Sequence, residues 1–171
     1  MTWSRKARMM RTSSSTASDP FTVALRLLTH SDCSTARLRE KLQRRGFAAV
    51  QIDAAIARCE EYDYLNDRRY AALRARTLMQ SGRGVGQRVL LDLRRQGISE
   101  DIAREALAAA SEEFEPETLL RQELARRFPD FCYATADQRQ RQRVVNFFRR
   151  RGFSIAQILT ELRQERSFSD I

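Results

Sequence analysis

The chain has 171 residues, a formal net charge of +9 and 42% apolar residues, enough for real cores. No apolar run approaches the ~20 residues that a membrane-spanning helix needs, and the single histidine, His30, leaves no two-histidine metal site. A charge this positive points to an anionic partner, whether nucleic acid, an acidic protein groove or a membrane surface.

Residues 1–18 carry Arg5, Lys6, Arg8 and Arg11 among serines and threonines, with no acid. They lack a secretory apolar core and read as a disordered basic arm. Asp19-Pro20 then opens the folded part, with Asp as N-cap and Pro at the first helical position. The pattern predicts helices over 20–29, 35–45 and 50–61 in a first unit spanning 19–65. A second unit, 66–113, has helices over 67–80, 86–96 and 100–111. A third, 114–166, has helices over 116–127, 137–151 and 155–166, followed by a tail at 167–171. No alternating apolar stretch competes for strand status, so the expected fold is all-α.

One phrase recurs in each unit: Leu38…Leu42-Gln43-Arg44-Arg45-Gly46-Phe47, Val89…Leu93-Arg94-Arg95-Gln96-Gly97-Ile98 and Val144…Phe148-Arg149-Arg150-Arg151-Gly152-Phe153. Apolar residues eight and four positions before a glycine share one helix face. The glycine suits the left-handed turn that ends a helix, and the large apolar residue after it folds back. Apolar positions follow at Ile52, Ile102 and Ile158, and again at Ile56, Leu107 and Leu162. Ser99 and Ser154 start the next helices, the latter with the spacing of a capping box to Gln157. A period of this length marks a tandem array, here three three-helix units in a row. Helices of about 12 residues are ~18 Å long, so the rod would reach about 60–80 Å.

The arginine pairs at the helix ends have two readings. Cations there complement the macrodipole at about 0.3–1 kcal/mol each, or they bind an anion. The third phrase has more: Arg139, Arg141 and Arg143 precede it, no acid lies between Asp137 and Gly152, and Arg139, Arg143 and Arg150 fall roughly along one face. Ser81-Gly82-Arg83-Gly84-Val85-Gly86 follows no strand and precedes no Lys-Ser/Thr, so it is an inter-helix loop and not a nucleotide-binding signature. Glu60, Glu61, Asp63 and Asp67 mark a helix end and the next start, with Asn66 as N-cap, and not a metal cluster. Tyr70, Cys59 and Cys132 read as core. Cys33, Cys59 and Cys132 are odd in number and scattered, which fits a reducing cytoplasm better than a disulfide framework. Nothing points to a catalytic group, so the chain reads as a non-enzyme with no cofactor and no metal.

Tyr64-Leu65-Asn66-Asp67-Arg68-Arg69-Tyr70-Ala71 resembles the central signature of the RecX regulators, usually Tyr-Leu-Asp-Asp-x-Arg-Phe/Tyr-Ala. The stretch from Gly86 to Ile98 resembles the next block of that family, and Ser34 with Leu38…Leu42 and Arg45-Gly46-Phe47 resembles its first. The likeness covers roughly residues 20–165. Asn66 replaces the usual first Asp, Arg37 stands where Glu is usual, and Ser31 where Arg is common. The resemblance implies a regulator in recombination, DNA repair and the SOS response. Such a protein binds the RecA–single-stranded-DNA filament in its groove, inhibits ATP hydrolysis and strand exchange, and can bind DNA directly. It also implies three tandem three-helix units in an elongated, curved array. The contact residues expected here are Arg68, Arg69, Arg94, Arg95, Arg139, Arg143, Arg149 and Arg150 of a cytoplasmic monomer. A helix-turn-helix transcription regulator is the competing reading, weakened because the post-glycine helices are Ala-rich and poor in base-reading side chains. A helical scaffold with no DNA role is a third.

Overall fold

The computed structural model describes residues 19–164; the basic arm at 1–18 and the tail at 167–171 lie outside them. Among the described residues every regular element is helical: α1 (Pro20–His30), α2 (Thr35–Gln43), α3 (Ala49–Glu61), α4 (Asp67–Gln80), α5 (Gln87–Arg95), α6 (Glu100–Glu113), α7 (Pro116–Arg127), α8 (Gln138–Arg150) and α9 (Ile155–Gln164).

The helix ends follow local chemistry. The Asp19 carboxylate accepts the Thr22 N–H (3.2 Å), the Ser34 hydroxyl accepts the Arg37 N–H (3.2 Å), and the Asn66 side chain accepts the Arg69 N–H (3.0 Å). Asp137 with Gln140 and Ser154 with Gln157 form reciprocal capping boxes. The repeated glycines sit at φ +84° (Gly46), +78° (Gly97) and +98° (Gly152). At Gly97 and Gly152 the paired bonds of a Schellman turn close the helix: Gly97 N–H to Arg94 O (2.9 Å) with Ile98 N–H to Leu93 O (3.1 Å), and Gly152 N–H to Arg149 O (3.0 Å) with Phe153 N–H to Phe148 O (3.3 Å). Ile98 and Phe153 are buried, and the Phe153 ring meets Phe148 edge-on at 5.7 Å.

Helices pack as three sets: α1–α3, α4–α6, and α7 and α8 against α9. Leu38, Leu42, Ile52, Ile56, Cys59 and Leu65 fill a core of their own in the first set. A second core runs without interruption from α4 through α9, from Ala71, Met79, Val89 and Leu93 to Leu120, Phe148, Ile158 and Leu162. Where α4 meets α6 the buried residues are small: Ala71 and Ala75 against Ala103, Ala106 and Ala110. This shifts the repeat. Ile102 and Leu107 are only half-buried, and Ala103 takes the place that Ile52 and Ile158 hold in the other sets. A close helix crossing has room for a methyl group and not for an isoleucine.

The sets join through one recurring contact. The start of one set's middle helix lies against the glycine turn of the next. The Ser34 hydroxyl donates to Gln96 O, and the Thr35 N–H donates to Asp67 Oδ1 (2.8 Å). Fifty-one residues on, the Val85 N–H donates to Arg151 O (2.8 Å). A Cβ on Gly97 would collide with Ala36, and one on Gly152 with the Val85 carbonyl. Gly46, which has no preceding set, has nothing within 4 Å of that position. Gly97 and Gly152 therefore serve both a helix end and a joint, whereas Gly46 serves only a helix end. Cys132 is exposed, contrary to the expectation of a core residue: it lies in the irregular segment after Phe128-Pro129, which belongs to no helix. Tyr70 is half-buried against the second core.

Candidate anion-binding interface

Seven of the eight arginines expected from the sequence fall into two groups. The first is held by the chain's own acids. Arg68 on α4 pairs with Glu105 on α6, and Arg94 pairs with Glu100 at the start of α6 (2.9 Å). Arg69 grips the turn before α4, with Nη1 to Asp63 Oδ2 at 2.6 Å and Nη2 to Asp63 O at 2.9 Å. Among the described residues Asp63 is the non-glycine residue with positive φ, at 53°. Hydrogen bonding from Asn66, with Arg69 beside it, holds its carboxyl below the usual carboxylate value. Arg74–Asp92 (2.8 Å) and Arg76–Glu113 (2.8 Å) complete a second set laced by ion pairs.

The second group lies on α8. Arg139, Arg143, Arg149 and Arg150 are exposed, and among the described residues no carboxylate pairs with them. No acid lies within their helix, its N-cap Asp137 is engaged by the Gln140 N–H (2.7 Å), and Glu161 of α9, the next acid along the chain, is committed to Arg121 of α7 (2.6 Å). The other α8 arginine, Arg141, turns back: its guanidinium lies 4.8 Å from the Tyr133 ring centre and donates to Ala134 O (3.3 Å). Arg151, just past the helix, lies 3.6 Å from the Phe147 ring centre and donates through Nε to Gly82 O (2.6 Å). Arg95 stands between the two groups. Its side chain is exposed, while its carbonyl accepts Arg37 Nη2 (2.7 Å).

Sequence reasoning passed over two features. Arg37, at the position where Glu is usual, pairs with Glu40 (2.8 Å) and bridges to Gln96 Oε1 (3.2 Å) at the first joint. Arg126 and Arg127, at the end of α7, are a further helix-terminal pair, and Glu123 is their acid. No glycine follows them, so the repeat did not expose them, although two arginines closing an amphipathic helix were a readable signal. Among the described residues no cluster of His, Cys, Asp and Glu could hold a metal ion, and no helix is long and apolar enough to cross a membrane.

The chain has relatives among known proteins. Residues 21–59 match the model for "RecX, first three-helix domain" and residues 66–107 that for "RecX, second three-helix domain". A protein of Syntrophotalea carbinolica named "Regulatory protein RecX" is 48% identical over 148 residues, covering 86% of this chain and 97% of that protein. One of the same name from Trichlorobacter lovleyi is 36% identical, covering 83% and 92%. The crystal structure of RecX from Lactobacillus salivarius superposes with a TM-score of 0.67 at 24% identity, over 85% of this chain and 95% of that one, and supports the fold.

Proposed function

The chain belongs to the RecX family of regulatory proteins, and from that premise we propose that it regulates RecA by binding the RecA–single-stranded-DNA filament. In this reading the helical array lies in the filament groove, touches successive subunits and inhibits ATP hydrolysis and strand exchange. It would act as a monomer in the cytoplasm, in recombination, DNA repair and the SOS response. The observation that carries the reading is the row of unpaired arginines on α8 in a chain of this family.

The mechanism needs no reacting group. A body of linked units that contacts neighbouring subunits favours one arrangement of them over another, and inhibition is the difference in its affinity for the two. Arg139, Arg143, Arg149 and Arg150 are the leading contacts, because they give up no internal ion pair on binding. Arg68, Arg69 and Arg94 would each have to share or release a carboxylate, and Arg95 would contribute beside them. The test is RecA ATPase on single-stranded DNA, titrated with this protein with and without residues 1–18. Inhibition that saturates near one protein per few recombinase subunits supports the reading. ATPase unaffected at any ratio overturns it. If sequence-specific footprinting on duplex DNA appeared instead, the helix-turn-helix reading would replace it.

A further inference from the structure

The turn at 80–83 and the end of α7 flank a half-open polar hollow of about 370 Å³ near the second joint. Four arginines line it, Arg83, Arg126, Arg127 and Arg151, and one acidic residue, Glu123, lies among them. That carboxylate is buried, with its side chain only 8% exposed. Oε1 pairs with Arg126, while Oε2 has no hydrogen-bond partner and reaches Arg127 only at 4.0 Å. Glu123 packs so tightly against Gly82 that a Cβ there would strike it. Arg83, projecting between two glycines, is exposed and has no acid among the described residues. Desolvation, with Arg127, Arg126 and Arg150 near by, holds the Arg151 guanidinium below the usual arginine value despite the pull of Glu123.

One carboxylate cannot balance four converging cations, and a concave site concentrates their field. The missing charge is an anion small enough for the hollow and suited to forked donors, which a phosphate is. Oε2 is unpaired and shut off from solvent, so a ligand that carries a donor beside its phosphate satisfies it once a small shift of the side chain opens the way. We propose that this hollow is a nucleotide-phosphate site, in which Arg83 and Arg127 hold the phosphate and Glu123 accepts from a neighbouring amino or hydroxyl group. This deepens the reading of the chain as a DNA-filament regulator by naming a nucleic-acid contact away from the α8 row. The phosphate could belong to a single strand or to a free nucleotide.

The test uses the full-length chain without recombinase, so its outcome is separate from that of the ATPase assay. Binding of a mixed-sequence 20-nucleotide single strand and of free dCMP is measured for the wild type, for Arg83→Gln with Arg127→Gln, and for a charge-matched control, Arg44→Gln with Arg104→Gln. Unchanged helix content by circular dichroism is checked for each. The pocket variant is expected to bind the strand about tenfold more weakly than the control. Its slope of log K against log salt should be shallower by about 0.7, the share of one phosphate. Saturable dCMP binding lost only in the pocket variant, with strand binding matching the control, would assign the site to free nucleotide. Pocket and control variants that match with both probes would overturn the proposal.

Discussion

The second and third sets carry the same arginine–glycine phrase and use it differently. Arg94 is answered by Glu100 across the turn, as Arg68 is by Glu105. Arg149 and Arg150, at the matching place, meet no acid among the described residues. The cause lies in the helix that follows. α6 opens with Glu100-Asp101 and continues to Glu105 and Glu113, whereas α9 offers Glu161, which faces α7. In the second set the arginines fasten α4 and α5 to α6, with helix-end charge complementarity as a further role. In the third set the same residue type is left facing outward.

The sharpest way to break this comparison is through the core that the two sets share. Phe148→Ala should cost about 3–5 kcal/mol and lower hydrogen-exchange protection in α4–α6 as well as α7–α9. Leu42→Ala, at the matching place in the separate first core, should leave α4–α9 protected. Next come the glycines. Gly46→Ala should cost about 1–2 kcal/mol, the penalty of a side chain in the left-handed region. Gly97→Ala and Gly152→Ala should cost at least 1 kcal/mol more, because each also opens a joint. Equal losses in thermal unfolding across the three would deny the glycines their second role.

The arginines themselves should matter little for folding. Arg94→Gln should cost under about 1 kcal/mol, as exposed ion pairs do, and Arg150→Gln no more than about 0.5 kcal/mol from the helix dipole. If about six arginines meet single-strand phosphates, log K against log salt should slope near −4.

The smallest effect is a pH dependence. The folded Asp63 carboxyl is held below its unfolded value, so its stabilising share is present above the unfolded carboxylate pKa of about 3.9 and fades as pH falls toward the folded value. Asp63→Asn should therefore lower stability at pH 7 and converge with wild type in acid unfolding scans as pH falls past the folded value. A constant difference across that range would show that charge is not what Asp63 contributes.

Much of the architecture was legible because it is local. A capping side chain three residues from its target, a glycine four residues past an apolar position and the spacing of Leu38 and Leu42 all act within one or two turns of helix. What stayed hidden depends on contacts far apart in sequence. Arg68 and Glu105 lie 37 residues apart, and Arg37 and Gln96 lie 59 apart. No periodicity links such positions, so arginines already committed to acids read the same as free ones. Ala103 escaped notice for a related reason: the place of a buried isoleucine went to alanine because another helix passes close by. Cys132 was misjudged on composition alone, since the segment around it belongs to no helix.

The claim at the centre is that the outward-facing arginines of α8 engage the filament and the paired ones of α4–α6 do so less. The direct measurement is RecA ATPase on single-stranded DNA with Arg149→Glu plus Arg150→Glu, set beside Arg68→Glu plus Arg94→Glu, both checked for wild-type helix content. At least a tenfold rise in the concentration needed for half-inhibition is expected with the α8 pair, and a smaller rise with the other. Inhibition undiminished by the α8 reversal, or diminished more by the α4–α5 reversal, would contradict it.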